Sequence, residues 1–170
     1  MAESGSSNGG ETASPQPAAQ QPPGVHVVGQ YIKDLSFENP GAPGTLRPSD
    51  KGPTLDVNVN VNARPHSETE FEIELKIDAK AARGEETLFI VEVAYAGVFQ
   101  IRNVPREHVQ PILLIECPRL LFPFARQIVA DATRQGGFPP LMIDPVDFAA
   151  LYRQRMAELN AQQAAAGQHS

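Results

Sequence analysis

The sequence predicts an α+β domain in which an antiparallel β-sheet carries its helices on one face. Three observations indicate this fold class. Strand-like alternation of apolar and polar residues fills the first part of the chain, helical periodicity fills the second, and the turns between strands are short and polar. Strands that follow one another in this way favour antiparallel pairing, and helices that follow as a block cover one face of the sheet.

Four strands are predicted, and the second and third along the chain show the most regular alternation. In residues 55–62 aliphatic side chains alternate strictly with Asp and Asn, and in residues 70–78 apolar side chains alternate with Glu, Lys and Asp. Residues 87–101 form a longer and more apolar strand, whereas residues 26–38 give a weaker first strand. Because side chains alternate with a period of two, the two middle strands should each present one polar face.

Glycine and proline mark the breaks between these strands. Residues 39–53 form a connector rich in Pro and Gly, and residues 83–85 (Arg-Gly-Glu) are typical of a hairpin turn between the last two strands. Gly97 interrupts the apolar run of the last strand, and a glycine at such a position often marks a bulge. We therefore expect a tight hairpin near Gly84 and a bulge or bend at Gly97.

The second half of the chain should be helical, with a long helix over residues 106–134. This helix contains Pro118 and Pro123, and a proline in a helix interior costs about 3 kcal/mol, so packing must supply the missing stability. Gly136 and Gly137 should end it. One side of the helix is apolar, the other polar; the apolar side carries Leu113, Cys117, Leu120, Leu121, Phe124 and Ile128.

A second helix should follow an extended link that Pro139 and Pro140 enforce. The predicted start of this helix has Asp144 as the N-cap, Pro145 in the first turn and Asp147 at the third position. Its apolar side would be formed by Val146, Phe148, Leu151, Tyr152 and Met156.

Composition divides the chain into three predicted parts. Residues 1–24 consist mainly of Gly, Pro, Ser, Gln and Ala, so they offer almost nothing to bury and should form a disordered tail. Residues 25–156 should form the folded domain. Residues 157–170 could extend the last helix but should fray into a flexible tail.

The formal net charge of −6 argues against nucleic acid as a partner, because binding it requires clustered Lys and Arg. Most of the acidic excess lies in residues 68–92, which hold eight acidic and three basic side chains. An acidic sheet face would attract a basic partner, although a merely solvated strand face has the same composition.

No targeting or membrane segment is evident in the sequence. No apolar run approaches the roughly 18 residues that span a bilayer, and the N-terminus lacks a basic region followed by an apolar one. The single cysteine fits the reducing cytosol, so we expect a cytoplasmic protein.

Catalytic and metal-binding patterns are also lacking. The four histidines lie in different segments without metal-ligand spacing, and no nucleophile elbow, phosphate loop or dinucleotide fingerprint occurs. We therefore predict neither an enzyme, a cofactor nor a bound metal. A thiol pair of Cys117 with His108 is the remaining catalytic candidate, but a cysteine on the apolar side of a helix is far more often a small buried hydrophobe.

The apolar surface exceeds what one sheet and two helices can cover. Both faces of the last strand are largely apolar, with Glu92 among the aliphatic residues, and Asp34, Ser36 and Glu38 share one face of the first strand. Two interpretations remain open at this point: contact with a neighbouring subunit, or a docking surface of carboxylates beside aliphatic residues. The excess implies oligomerisation, a binding groove, or both.

Four motifs resemble those of the bacterial protein-export chaperone family SecB, over roughly residues 30–155. The first two are K-D-x-S-F-E followed by P-x-A-P, and E-E-T before the last strand. The other two are C-P-x-x-L-F-P-F-A-R in the long helix, and G-x-F-P followed by P-V-D-F-x-x-L. The residues that carry the match are Lys33, Asp34, Ser36, Phe37, Glu38, Pro40, Ala42, Pro43, Glu85, Glu86, Thr87, Cys117, Pro118, Leu121, Phe122, Pro123, Phe124, Ala125, Arg126, Gly136 or Gly137, Phe138, Pro139, Pro145, Val146, Asp147, Phe148 and Leu151.

This resemblance implies a four-stranded antiparallel sheet with a long and a short helix on one face, assembled as a homotetramer, a dimer of dimers. The implied function is that of an ATP-independent chaperone, which holds unfolded precursor proteins and delivers them to the SecA motor ATPase. By position, the SecA-docking residues would be Asp34, Glu38, Ile90 and Glu92. The groove for unfolded peptides would include Phe37, Leu46, Leu121 and Phe124. The zinc of the docking complex belongs to SecA in this family, so the resemblance implies no metal here.

Two other functions remain as alternatives. A general holdase or an antitoxin-linked chaperone could be built on the same fold, and client identity would distinguish it from an export chaperone. A catalytic role for Cys117 is the third possibility, and a Cys117→Ser variant that kept all function would eliminate it.

Overall fold

In the computed structural model, residues 22–167 are described, and they contain the predicted four-stranded antiparallel sheet with helices on one face. The strands are β1 (Gly24–Glu38), β2 (Thr54–Pro65), β3 (Glu70–Arg83) and β4 (Glu86–Arg102). They lie in the order β1-β4-β3-β2, so β1 and β2 are the two edges of the sheet.

Strands β2, β3 and β4 form a meander, and β1 lies beside β4 rather than beside β2. The connector of residues 39–53, which contains a 3₁₀ turn at Gly44–Leu46, therefore carries the chain from one edge of the sheet to the other. Buried Thr45 anchors this connector, since its hydroxyl donates to Asn39 Oδ1 at 2.7 Å. The predicted β3–β4 hairpin is confirmed: Arg83 pairs with Glu86, and Gly84 supplies the positive φ of +61° that the turn requires.

The helical half begins with α1 (Arg106–Pro111) and continues through a π turn (Ile112–Glu116) into α2 (Cys117–Gln135). The predicted helix over residues 106–134 is therefore present but interrupted. In the π turn the Cys117 N–H donates to the carbonyl of Ile112, five residues back. Pro118, the next residue, has no N–H to offer the regular helical ladder, so the widened turn lies where that ladder is already broken.

The last helix, α3 (Phe148–Gly167), begins three residues later than the sequence predicted. Asp147 is its N-cap, because Asp147 Oδ1 accepts a hydrogen bond from the N–H of Ala150 at 3.0 Å. The prediction of Asp144 as the cap is wrong, because residues 144–147 still belong to the non-helical link before the helix. Thr133 Oγ1 accepts the N–H of Leu141 at 2.9 Å, and the carbonyl of buried Ile143 accepts from Arg126.

Helix α3 covers most of the segment that was predicted to be a flexible C-terminal tail, and the flexibility of that tail stays a prediction. The predicted N-terminal tail lies almost entirely outside the described residues, as do residues 168–170. Within residues 22–167, no helix combines the length and the apolar character that crossing a bilayer would need.

The core lies between the sheet and α2, which packs across β4 and β3. Gly97 is a point of close approach: a Cβ there would lie 2.9 Å from Phe99 Cε2 and 3.0 Å from Leu121 Cδ2. The predicted bulge at Gly97 is wrong, since this residue pairs in register with both neighbouring strands. Glycine is needed here because no side chain fits beneath the helix.

The bulges of this sheet lie instead on β1 and near the β3–β4 turn. In β1, Val28 and Lys33 are the extra residues, inserted between Val27 and Gly29 and between Ile32 and Asp34. Each extra residue shifts the alternation of β1 by one position, so the outer face carries Tyr31 before Lys33 and Asp34 after it.

Gly136 and Gly137, which follow α2, leave room for a cluster of aromatic side chains. The rings of Phe37, Phe89 and Phe138 lie within 6.4 Å of one another, centroid to centroid. A Cβ at Gly136 would overlap the ring of Phe37, and Gly137 adopts a φ of +92° against Leu46. Both glycines therefore permit β1, the connector and α2 to meet at one end of the sheet.

A Gly97→Ala variant should destabilise the protein by about 1–3 kcal/mol, because overpacking forces α2 away from β4. Chemical denaturation of the variant measures this. Gly29→Ala is the matched control, since a Cβ at Gly29 meets no atom within 4 Å, and this variant should unfold like the parent. Equal stability of the two variants would contradict the close approach at Gly97.

Candidate functional site

The face of the sheet opposite the helices, here called the outer face, brings the four predicted docking residues together. Across β1 and β4, Glu38 pairs with Ile90, and Ser36 pairs with Glu92 in the next row. Asp34 occupies the row after that, opposite Ala94. Paired residues share a face, so Asp34, Glu38, Ile90 and Glu92 form one surface, here called the docking patch. Its three carboxylate residues are exposed, and Ile90 is partly exposed between them.

A further carboxylate borders the docking patch from β3. Asp78 pairs directly with Glu92, and its Oδ1 atom is buried without a hydrogen-bond partner. Among the described residues, no basic side chain forms an ion pair with either carboxylate within 4 Å. The sequence showed Asp78 only as one acid among eight; the strand register was needed to place it opposite Glu92.

A network of polar side chains crosses the centre of the outer face. Tyr31 Oη donates to Glu72 Oε2 at 2.6 Å. Lys33 Nζ donates to Glu72 Oε1 at 2.8 Å and forms an ion pair with Glu74 Oε2 at 2.9 Å. These side chains reach from β1 to β3 over β4, where Ala94 and Ala96 are small enough to be bridged.

The hydrogen bonds of this network shift the ionisation of its members. The bond from Lys33, followed by that from Tyr31, lowers the pKa of Glu72 below the ordinary carboxyl value. The same bond with Glu72 raises the pKa of Tyr31, and the bonds with Glu72 and Glu74 raise that of Lys33. At neutral pH Lys33 is therefore an ammonium group, Glu72 a carboxylate and Tyr31 a neutral phenol.

The opposite, helix-bearing side exposes apolar residues. On α2, Leu120 and Phe124 are about half exposed, and Ile128 continues their stripe one turn further. On edge strand β1, Ile32 and Leu35 are similarly exposed. Together these five residues are here called the apolar strip. Phe124 stacks on Tyr95 with ring centroids 6.1 Å apart, which holds its ring at the surface.

The four residues predicted for a peptide groove do not all belong to this surface. Phe37 is half-buried and lines an open groove of about 390 Å³ between β1 and α2. Leu46 and Phe124 are exposed, Leu46 beside Gly137 at the rim of the aromatic cluster. Leu121 is fully buried beneath Gly97, so it belongs to the core and leaves the groove assignment. The sequence did not predict the exposure of Ile32 and Leu35 beside α2, because it could not show which side of β1 faces this helix.

Cys117 lies in an environment that disfavours catalysis. Its side chain is fully buried, and burial, with the nearby Glu116 charge, raises the pKa of the thiol to about 12. Since the nucleophilic form of cysteine is the thiolate, this thiol stays unreactive at neutral pH. Within residues 22–167, no three His, Cys, Asp or Glu side chains are arranged to hold a metal ion.

Comparison with known proteins gives consistent matches over most of the chain. The family model described as preprotein translocase subunit SecB matches residues 18–159. A protein-export protein SecB of Sinorhizobium fredii is 57% identical over 148 residues, which cover 87% of this chain and 89% of that protein. The protein of the same name from Brucella anthropi is 59% identical over 142 residues, which cover 84% and 87%.

A solved structure also shares the fold. It is a SecB-like chaperone of Mycobacterium tuberculosis in complex with a ChAD peptide from the HigA1 antitoxin. The match has a TM-score of 0.60 at 14% identity and covers 72% of this chain and 90% of that chain. At this identity the likeness extends to the fold alone.

A Tyr31→Phe variant should raise the pKa of Glu72 towards the ordinary carboxyl value, because one of the two hydrogen bonds that lower it is lost. Carboxyl titration by NMR measures this. Tyr95→Phe is the control, since Tyr95 donates to Gln30 rather than to the network. An unchanged Glu72 pKa in Tyr31→Phe would show that the hydrogen bond does not form in solution.

The same shift has a consequence for stability. A lowered pKa means that ionised Glu72 stabilises the fold above the pKa of an unfolded carboxyl, and that this stabilisation is lost as the pH falls through the lowered value. Tyr31→Phe should therefore lose less stability than the parent over this acidic window. Denaturant titrations across that pH range measure the difference.

Proposed function

The chain belongs to the SecB family of protein-export chaperones, and on that premise we propose that it holds unfolded precursor proteins in the cytoplasm and delivers them to the SecA motor ATPase. One observation carries the proposal beyond the family name. The docking patch gathers on the outer face, while the apolar strip lies on the opposite side of the sheet. The two surfaces suit two partners of different chemistry, one basic and one apolar.

Docking of SecA rests on charge. Asp34, Glu38 and Glu92 give the patch three carboxylates, and Ile90 adds an aliphatic contact between them. A basic segment of SecA is drawn to such a surface, and electrostatic attraction of this kind raises the rate of association. Because the attraction acts between solvent-exposed charges, salt weakens it.

Client binding rests on apolar contact. Unfolded chains expose apolar segments, and the apolar strip offers them Ile32, Leu35, Leu120, Phe124 and Ile128. Each contact is weak, but linked contacts along one client raise the overall affinity by about 10² or more. A client that folds buries its apolar segments and loses these contacts. Its release therefore needs no nucleotide hydrolysis.

Assembly as a dimer of dimers would extend the apolar surface. Edge strands β1 and β2 each leave one side unpaired by another strand of the sheet, and such edges readily pair with another chain. Light scattering should give four times the 18.4 kDa mass of the chain.

An antitoxin-linked or general holdase role is the alternative on this fold. The relatives at 57–59% identity are named for protein export, whereas the structure with an antitoxin peptide is only 14% identical. The export role is therefore the better supported. Transfer of a bound unfolded precursor to SecA distinguishes the two roles.

Reversing the charge of Asp34 and Glu92 to Lys should weaken SecA binding about tenfold or more, because both residues would then repel a basic segment. The loss should be larger at low salt. Calorimetric titration with purified SecA at two salt concentrations measures it, and light scattering checks that assembly is unchanged.

Glu70→Lys is the matched control for this charge reversal. Glu70 pairs with Gln100 at the far end of the outer face, about 25 Å from Glu92 along the strands. The Glu70→Lys variant changes the charge of the same face but leaves the residues of the docking patch unchanged. Unchanged SecA affinity in the Asp34/Glu92 variant would eliminate the docking assignment.

A Phe124→Ser variant should bind an unfolded precursor about five- to tenfold more weakly, because it removes the largest exposed ring of the apolar strip. Leu159→Ser is the control, since Leu159 is an exposed apolar residue on α3, outside the strip. Co-elution with the unfolded and the folded form of one precursor measures binding. Full client binding by Phe124→Ser at unchanged oligomeric mass would contradict the role of the strip.

A further inference from the structure

We propose that Lys33 is a positioning residue for the docking patch: clamped onto Glu72 and Glu74, it fixes the β-bulge beside Asp34 and so aims the Asp34 carboxylate at SecA. This inference rests on the proposed function, because it assigns a role within the same docking surface. Lys33 itself lies outside the docking patch and is not proposed to contact SecA.

The bulge interrupts the pairing of β1 with β4 immediately before Asp34. Lys33 is inserted between Ile32 and Asp34 without a partner residue on β4, so the ladder is interrupted immediately before Asp34. β1 is an edge strand, which has hydrogen-bonded neighbours on one side only. Bulges re-aim the side chains next to them, and an unrestrained one at an edge can change conformation easily.

The clamp on Lys33 supplies the missing restraint. Nζ contacts Glu72 Oε1 at 2.8 Å and Glu74 Oε2 at 2.9 Å, two carboxylates on a strand that is not adjacent to β1. Both acceptors are well shielded, with only 12% and 18% of their side-chain surfaces exposed. Charge-assisted bonds of this length to shielded acceptors hold their donor more firmly than pairs in open water do.

Tyr31 strengthens the restraint from the other side of the bulge. It donates to the second oxygen of Glu72, so Glu72 is held by two side chains of β1 that flank Ile32. The bulged segment is thereby tied across β4 to β3 at two points. What remains free is the carboxylate of the next residue, Asp34, which is exposed.

A purely electrostatic role and a positioning role of Lys33 predict opposite changes in SecA affinity when its charge is removed. Removing a positive charge makes the outer face more negative, so Coulomb attraction alone would tighten the binding of a basic segment. If Lys33 positions Asp34, its removal weakens that binding, because Asp34 must then be ordered at the moment of association. Whether SecA affinity rises or falls therefore distinguishes a purely electrostatic role of Lys33 from a positioning role.

The test compares Lys33→Met with Lys76→Met in the full-length protein. Lys76 lies on the same face, opposite Ala94 in the row of Asp34, and forms no ion pair within the described part of the chain. Both variants remove one positive charge from the outer face, Lys76 in the row of Asp34 and Lys33 immediately before that row. With purified SecA, Lys33→Met should bind about fivefold more weakly, whereas Lys76→Met should bind equally or more tightly. Lys33→Arg, which can still reach both carboxylates, should restore affinity.

A double-mutant cycle identifies Asp34 as the group through which Lys33 acts. In an Asp34→Asn background, Lys33→Met should cause no further loss of SecA affinity. Client binding and oligomeric mass should be unchanged by Lys33→Met, whereas a general loosening of the sheet would alter them too.

The outcomes distinguish this inference from the function on which it rests. If reversal of Asp34 and Glu92 leaves SecA affinity unchanged, both the docking patch and the role of Lys33 are rejected. If that reversal weakens binding but Lys33→Met binds as tightly as the parent or more tightly, only the positioning role is overturned. The positioning role is also overturned if Lys33→Met reduces SecA affinity equally in the parent and in the Asp34→Asn background.

Discussion

The close approach of α2 to β4 at Gly97 decides what each side of the sheet can do. Because the helix lies against this glycine, every second residue of β4 is committed to the core, and the residues between them must face outward. The register of β1 and β3 against β4 then carries this division across the sheet. Two unlike surfaces, one carboxylate-rich and one apolar, follow from a single packing contact.

Strand β1 shows how tightly the two surfaces are interleaved. Leu35 and Phe37 point towards α2, whereas Asp34, Ser36 and Glu38 point away from it. Neighbouring residues thus serve different surfaces, and no loop or linker separates them. Because β1 is an edge strand, a displacement of the whole strand would change both surfaces, whereas a change confined to the direction of Asp34 would change only the outer face.

The sequence predicted most of the fold, because the alternation in β2 and β3 and the glycine of the hairpin are strong local signals. Its errors arose where a residue has two physical uses. Gly97 was interpreted as backbone freedom, although the fold needs its missing side chain. Asp144 and Asp147 are equally good caps, and contacts of Thr133 and Arg126 with the preceding link decide between them. The bulge at Lys33 leaves no trace in a strand whose alternation is weak.

The candidate site was predicted in part. The motif resemblance named residues that the register does bring together, but it could not show that Leu121 is buried or that Asp78 faces Glu92. Both facts depend on tertiary packing, which local patterns do not encode.

The opposition of Asp78 and Glu92 has a consequence for the evolution of this protein. Like charges in directly paired positions destabilise a sheet, and Asp78 also leaves one buried oxygen without a donor. A neutral residue at either position would make the isolated chain more stable. Selection or engineering for thermostability alone would therefore favour the loss of carboxylates at this end of the outer face, leaving a more stable fold with a less acidic surface.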